Sequence, residues 1–285
     1  FSSAAAEDIG LRGKGFDLAA IAGFSGASET AKTFADTDSL SVTAGGQTNT
    51  IDLTTGMSAA DLAGQFNSTE GVFGVGATTQ VAVGGFGATN TTATDVVTLN
   101  VAGVEISATA AATGDGTVTA LNTAIDSATA EALAAKGITA SVVTNAGTTG
   151  DDLLVFTNAS GENIDVTMEI QGGNTDGLDG TVSAYDGTAV IAGGKTTTAG
   201  ISATASETTI VTGRLDVSNA VLDSNFSTLS VTGTGTLNGA ATTNATLDTT
   251  TSLTSIANLD ISSAGGSQSA IDVIDAALQQ IGNER

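Results

Sequence analysis

Few side chains in this sequence could carry out covalent or acid–base chemistry. The chain has 30 acidic and seven basic residues and no His or Cys, so the usual general base and the thiolate nucleophile are missing. A Ser–Lys pair would have to use Lys14, Lys32, Lys136 or Lys195, and paired carboxylates could form a glycosidase site. No motif positions any of these groups, and aromatic residues, which form sugar platforms, make up only 4%. We therefore expect neither enzymatic activity nor a cofactor.

One acidic, glycine-rich stretch has the composition of a calcium-binding turn. The segment from Gly172 to Gly180 offers carboxylates and unshielded carbonyl groups at close spacing. It lacks the nonapeptide repeat of calcium-binding β-helices and has no second copy, so a solvated turn explains it better. Asp151-Asp152 receives the same interpretation. We expect no metal site.

Asn-x-Ser/Thr sequons begin at Asn67, Asn90, Asn158, Asn225 and Asn244. In a chain this rich in Ser and Thr, five sequons arise easily by chance. They are therefore weak indicators of glycosylation.

The net charge of −23 restricts the partners of the chain. Nucleic acid binding needs clustered Lys and Arg, and an anionic membrane surface repels such a chain. No stretch approaches the about 18 consecutive apolar residues of a membrane-spanning helix. We expect neither nucleic acid nor membrane as a partner. Because much of the 40% apolar content is Ala, we also expect several small cores rather than one dense core.

A supersecondary unit occurs in a first copy after Ser39. Two short strands flank the turn at Gly45-Gly46, and a short helix follows whose start carries a capping box, Ser58 with Asp61. Strand character resumes at Val72. The pattern predicts the order strand, strand, short helix, strand.

A longer second copy follows. A hairpin turns at Ala102-Gly103, and a helix is predicted from Thr117, as its cap, to about Ala135, with Gly137 stopping it. Three strand candidates come next. In the last strand candidate, residues 164–170, apolar and polar residues alternate strictly. We therefore expect one face of this strand to be buried and the other to be exposed to solvent.

The C-terminus carries the one long helix that the sequence predicts, residues 267–285. Four apolar residues spaced three, four and three apart form what we call the C-terminal apolar stripe: Ile271, Ile274, Leu278 and Ile281. A helix this short is marginal alone. We therefore predict that the stripe is an assembly interface that packs on a partner helix, with an ordinary intramolecular core as the alternative. Since no suitable partner remains in the sequence and Phe1 replaces an initiator Met, we expect a processed product or a fragment.

The residues around this stripe follow a family pattern. The lead-in Leu253-Thr254-Ser255-Ile256 and Leu259-Asp260-Ile261-Ser262 precedes the run Ala270-Ile271-Asp272-Val273-Ile274-Asp275-Ala276-Ala277-Leu278, with Arg285 behind it. Over about 35 residues this resembles the C-terminal core region of bacterial flagellin, although Gly265-Gly266 and Gly282 depart from it. The second copy of the repeated unit, residues 97–166, resembles the flagellin "IN" motif, and the first copy fits it more loosely.

The resemblance implies a structural subunit of the extracellular bacterial flagellar filament, of which this chain is the surface-exposed middle. The implied partners are other flagellin subunits in a homopolymer, an export chaperone and the filament cap. The implied fold is α+β and mainly β, with small β-rich outer domains, short helices and a long C-terminal helix of a helical wall domain. A filament-cap or hook-associated protein and a surface adhesin or phage fibre domain are the alternatives. The predicted segments are a connector at 1–38, repeat copies at 39–94 and 95–173, a Thr/Gly-rich β region at 174–250 and the helix stub at 251–285.

Overall fold

The structure is a computed structural model. It describes residues 10–17, 38–87, 95–144, 146–147, 151–173, 177–191, 194–223, 226–233, 243–244, 246–247, 252–255, 261–262, 267, 270–271, 274 and 278. Much of the predicted C-terminal helix, including the stripe residue Ile281, lies outside these residues, so that helix stays a prediction.

The described part of the chain is built mainly of short strands. In chain order the elements are β1 (Gly10–Asp17), β2 (Ser39–Ala44), β3 (Gln47–Asp52), α1 (Ala59–Asn67), β4 (Val72–Phe73), β5 (Gly76–Gly84), β6 (Val96–Val101), β7 (Val104–Thr109), α2 (Gly114–Ala124), α3 (Ser127–Ala134), β8 (Ile138–Val143), β9 (Leu153–Asn158), β10 (Ile164–Gln171), β11 (Leu178–Ala184), β12 (Lys195–Ala199), β13 (Thr204–Val211), β14 (Arg214–Asp216), β15 (Val221–Asp223), β16 (Leu229–Gly233), β17 (Thr243–Asn244), β18 (Thr246–Leu247) and β19 (Ser252–Ser255). The prediction of a mainly β, α+β structure with short helices is confirmed.

The chain divides into two compact units. The first combines Phe1–Ala22, Thr33–Ala77 and Leu215–Arg285, and the second combines Gly23–Lys32 and Thr78–Arg214. This grouping differs from the five predicted segments, because residues far apart in sequence join in the first unit. The five segments, two of which are the repeat copies, stay a prediction.

The first unit contains two antiparallel sheets, with strand orders β17-β16-β2-β3 and β18-β1-β15-β4, and β19 pairs with β1. The β2–β3 hairpin turns at Gly45-Gly46, both with positive φ, as predicted. Helix α1 carries the predicted capping box: Ser58 Oγ accepts from the Asp61 N–H, and the Asp61 carboxylate accepts from the Ser58 N–H. Leu62 of α1 is fully buried.

Strand β1, the first described strand, pairs with two strands from the C-terminal part of the chain. It pairs antiparallel with β19, with Gly10 opposite Ser255, and with β15, with Gly13 opposite Asp223. The first described strand therefore lies beside the last one. Also within the first unit, a Cβ built on Gly76 would lie 3.5 Å from the Asp216 carbonyl oxygen. The point where the chain leaves this unit, after Ala77, is therefore close to the point where it returns, at Leu215.

The second unit also contains two antiparallel sheets. Their strand orders are β13-β10-β6-β7 and β12-β11-β5-β9-β8. The β6–β7 hairpin turns at Ala102-Gly103 as predicted, with φ of 50° and 88°. Along β10 the even-numbered residues from Ile164 to Ile170 are fully buried and the odd ones face outward, which confirms the predicted alternation.

The predicted helix from Thr117 to Ala135 is wrong in its start and in its continuity. Thr113, not Thr117, is the cap: its hydroxyl accepts from the Gly116 N–H. The Thr117 hydroxyl instead accepts from the Ala111 N–H and donates to the Thr113 carbonyl. The helix ends at Ala124, and Asp126 caps a new helix, α3. Gly137, at φ 71°, follows α3 as predicted.

The second unit has one large core and a second, smaller cluster formed by Ala82, Leu153, Val155 and Tyr185. Buried Val, Ile, Leu and Phe side chains from both sheets, with Leu121 of α2 and Leu133 of α3, form one contiguous cluster. The large side chains are concentrated on the inward positions of the strands. For that reason the average composition underestimated this core.

Candidate assembly interface

Three of the four residues of the C-terminal apolar stripe are described, and all three are exposed. The exposed fractions are 52% for Ile271, 38% for Ile274 and 61% for Leu278. All three have helical backbone conformation, as do Ser267 and Ala270. Within the described residues, nothing covers these large apolar side chains fully.

On the predicted helix, the three exposed residues fall on one face. Successive helical residues lie about 100° apart, so Ile271, Ile274 and Leu278 fall within an arc of about 60°. Ala270 lies about 40° beyond Ile274 and is buried. Ile274, the nearest stripe residue to this buried edge, is also the least exposed of the three. On the predicted helix, Ala270 therefore marks a covered edge beside the three exposed stripe residues.

One exposed residue near the stripe was not predicted as part of the interface. Ile261 is 71% exposed, and its carbonyl oxygen accepts a hydrogen bond of 3.3 Å from the Ser267 hydroxyl. In the sequence, Ile261 belongs to the lead-in that precedes the predicted helix. Ile261 does not follow the three- and four-residue spacing of the stripe, so the sequence pattern does not include it.

The basic residues considered for catalysis are not desolvated where the structure describes them. Lys136 and Lys195 are both exposed to solvent. A Lys that activates a nucleophile is normally held in a dry pocket. The side chains of Lys14 and Lys32 lie outside the described residues, so a Ser–Lys pair there stays untested.

The glycines of the candidate calcium turn have a packing explanation. At three of its four glycines a side chain would collide with a neighbour: Gly172 with the Gly200 carbonyl, Gly177 with the Ala199 carbonyl and Gly180 with the Phe86 ring. These positions are therefore small because other backbone and ring atoms pack directly against them. The residues between Gly173 and Gly177 lie outside the described part.

Asp95 is the one buried carboxylate beside this turn. One of its oxygens accepts from the Gly173 N–H, and the other has no partner among the described residues. Calcium takes six to eight oxygen ligands. No group of three acidic side chains in the described part converges as a metal site. A single carboxylate oxygen does not make a calcium site.

Two of the five sequons have an asparagine that is already engaged. The Asn67 amide exchanges hydrogen bonds with the backbone N–H and carbonyl of Val75, both at 2.9 Å. Asn158 is buried, and its amide oxygen accepts from the Ser160 N–H and hydroxyl. A glycan on either nitrogen would disturb these contacts. The side chains of the other three sequon asparagines lie outside the described residues.

Two carboxylates in the second unit have a lowered pKa, and both act in local turns. The backbone N–H of Thr129, followed by its side chain, lowers the pKa of Asp126 at the start of α3. The backbone N–H of Ala189, with the Thr188 hydroxyl and N–H, lowers the pKa of Asp186. These shifts reflect capping and turn formation rather than a reactive site.

Among the described residues, no helix is long and apolar enough to cross a membrane. Comparison with protein-family models and with curated proteins finds no match for this chain.

Proposed function

We propose that this chain is the surface-exposed region of a bacterial flagellin, a structural subunit of the extracellular motility filament. In this proposal the C-terminal apolar stripe packs against helices of the filament wall. The two β-rich units form the outer surface. Filament formation uses burial of apolar surface and requires no catalysis.

The observation that carries the proposal is the open apolar face at Ile271, Ile274 and Leu278. Exposed large aliphatic side chains at helical spacing are costly in water, and they gain about 1.5–3 kcal/mol each when fully buried. Contiguous apolar surface of this kind marks interaction sites. The residues around it are those that resemble the flagellin C-terminal core.

The pairing of β1 with β19 supports the same proposal. Because Gly10 lies opposite Ser255, the start of β1 and the end of β19 lie side by side. A subunit whose two terminal segments pair in a filament wall needs this arrangement. A domain with distant exits would require a long connection to bring them together.

The outer faces of the sheets suit a crowded, solvated surface. Exposed hydroxyls pair across strands, as in Thr98 with Ser107 at 2.9 Å and Thr167 with Thr208 at 2.8 Å. Such pairs stabilise neighbouring strands without charge. The net charge of −23 would keep densely arrayed copies soluble.

Immunogold electron microscopy on cells that express this gene tests the proposal. Antibodies are raised against residues 78–214, and a strain with the gene deleted is the control. We expect gold along the whole length of flagellar filaments. Labelling only at filament tips or at the hook junction would replace the proposal with a cap or hook-associated protein. Labelling of the cell body alone would replace it with an adhesin.

A further inference from the structure

Strands β12 and β13 lie at the edges of the two sheets of the second unit. Each is the last strand in the order of its sheet, β12 beside β11 and β13 beside β10. A short turn joins them, closed by a hydrogen bond of 3.1 Å from the Ala203 N–H to the Gly200 carbonyl. We call residues 195–212 the β12–β13 arm. It is one continuous segment that borders both sheets.

The arm contributes few large apolar side chains to the interior. Strand β10 buries four large apolar residues, and the register gives the β13 residues opposite them: Val211 opposite Ile164, Thr209 opposite Val166, Glu207 opposite Met168 and Ala205 opposite Ile170. Only one of these four β13 residues is a large apolar one. On β12 the buried residues are Thr197 and Ala199. Detaching the arm therefore removes much less apolar surface from the interior than detaching β10 would.

Three buried hydroxyls of the arm have no hydrogen-bond partner within the described part of the chain. They belong to Thr197, Thr209 and Thr212, each at most 1% exposed. Closure of the arm removes water from these hydroxyls without replacing the lost hydrogen bonds, so each of them opposes closure. The hydroxyl of Thr79 is in the same condition beside the end of the arm, where a Cβ on Gly213 would overlap its oxygen.

Hydrogen bonds are the main interactions that hold the arm. Strand β13 pairs with β10 over residues 204–211, and β12 pairs with β11 over residues 195–199. At the turn, the Ser202 N–H donates to the Gly173 carbonyl at 2.8 Å, and the Ala203 carbonyl accepts from the Gly172 N–H at 2.7 Å. Water replaces bonds of this kind when a strand opens, so each one contributes only modestly to closure.

We propose that the β12–β13 arm is a strap that opens while the rest of the second unit stays folded. Opening returns the three hydroxyls to water and uncovers β10 and β11. Both of these strands keep a neighbour, because β10 stays paired with β6 and β11 with β5. The opening involves only contacts within the second unit, so it does not depend on a role in a filament.

Native-state hydrogen exchange on the whole 285-residue chain, read by NMR, tests the strap. The most protected amides of β13 are compared with the most protected amides of β6, a central strand of the same sheet. We expect those of β13 to exchange at least about a hundredfold faster, because they exchange by opening of the arm and those of β6 by unfolding of the whole unit. Equal protection of the two strands would overturn the proposal.

Thr209→Val and the matched control Thr208→Val test the role of the buried hydroxyls. Val keeps the branched shape of Thr and lacks the hydroxyl, so we expect Thr209→Val to slow exchange of the β13 amides by about tenfold. Thr208 is the exposed neighbour on β13, and its hydroxyl lies 2.8 Å from that of Thr167, so Thr208→Val should not slow exchange. Equal slowing by both variants, or none by Thr209→Val, would show that the hydroxyl does not oppose closure.

A disulfide tests whether β13 must leave β10 for its amides to exchange. The chain has no Cys, so Thr167→Cys combined with Thr208→Cys gives one possible bridge between the two strands. We expect the oxidised form, verified by its mass, to protect the β13 amides as strongly as those of β6, and reduction to restore the faster exchange. Unchanged exchange of β13 in the bridged form would refute the strap.

Discussion

A charge placed in the C-terminal apolar stripe should abolish assembly while leaving the chain folded. Leu278 is 61% exposed, so its substitution by Asp removes little from the interior of the isolated chain. We expect the free energy of unfolding to change by about 0.5 kcal/mol or less, as for most surface substitutions. The effect should appear only when the stripe packs on its partner.

The size of that effect follows from the exposed fraction. Full burial of a Leu contributes about 1.5–3 kcal/mol, so covering the exposed part of Leu278 contributes about 1–2 kcal/mol per subunit. An Asp at this position loses that contribution and brings a carboxylate into an apolar contact, which costs several kcal/mol more. At about 1.4 kcal/mol per decade, association should weaken by more than about a hundredfold.

The matched control is Ile201→Asp, in the turn between β12 and β13. Ile201 is exposed to nearly the same extent, and its substitution adds the same charge. Both variants are expressed from the native gene locus. Swimming in soft agar, filaments in negative-stain micrographs and secreted subunit in the medium are then measured. We expect Leu278→Asp to be secreted as soluble monomer without filaments and Ile201→Asp to swim normally.

Normal filaments in the Leu278→Asp strain would refute the packing role of the stripe. Loss of filaments in both strains would show that added charge, rather than the stripe, is responsible. Loss of secretion in the Leu278→Asp strain alone would place the defect in export, and thermal melting of the purified variant would then show whether its fold had changed.

Three further changes test the fold itself. Gly71 and Gly46 both have φ near +80°, but a Cβ on Gly71 would overlap the Phe226 ring whereas one on Gly46 meets open space, so Gly71→Ala should cost about 2 kcal/mol more in urea unfolding than Gly46→Ala; equal costs would contradict the packing of that ring. Replacement of residues 78–214 by a short Gly/Ser linker should leave a first unit that melts cooperatively, because the residues on either side of this segment lie close together. An unfolded circular dichroism spectrum would contradict this. The pKa of Asp126 is lower in the folded chain than its ordinary value of 3.8, so its stabilising effect is present above that pH and is lost as the pH falls through the lower folded value. Asp126→Asn should therefore lose less thermal stability than the unsubstituted chain between about pH 5 and pH 2, and an equal fall in melting temperature for both would show that ionisation of Asp126 does not contribute.

Local patterns in the sequence predicted the local structure well. The capping box at Ser58 and Asp61, the glycine turn at Gly45-Gly46 and the alternation along β10 all depend on neighbours within a few residues. Each of these signals has a direct steric or hydrogen-bonding cause. Their success required no knowledge of the rest of the chain.

The start of α2 was mispredicted because two residues of one type compete there. Thr113 and Thr117 are both reasonable caps, and the apolar periodicity from Val118 onward favoured the later one. The intervening Gly114 and Gly116 are poor helix formers and hid the first turn. The interruption near Asp126 had an available signal, because Asp is a preferred cap and its side chain accepts from the Thr129 N–H.

The pairing of the first described strand, β1, with the last, β19, could not be predicted from local patterns. The pairing of Gly10 with Ser255 brings together residues separated by most of the sequence. Both strands are short, and β1 contains three glycines, which weaken strand propensity. The alternation of apolar residues says which face a strand buries, but it does not identify the neighbouring strand.

The candidate interface rests on a difference in solvent exposure between leucines that share a helical conformation. Leu121 of α2 and Leu133 of α3 are buried, because each faces the larger core of the second unit. Leu278 has the same side chain and the same helical conformation, yet most of it is in water. Among the described residues, the helical leucines that face a core are covered and Leu278 is not. The periodicity of the sequence identified the stripe, while only the packing distinguishes a face that is already covered from one that still needs a partner.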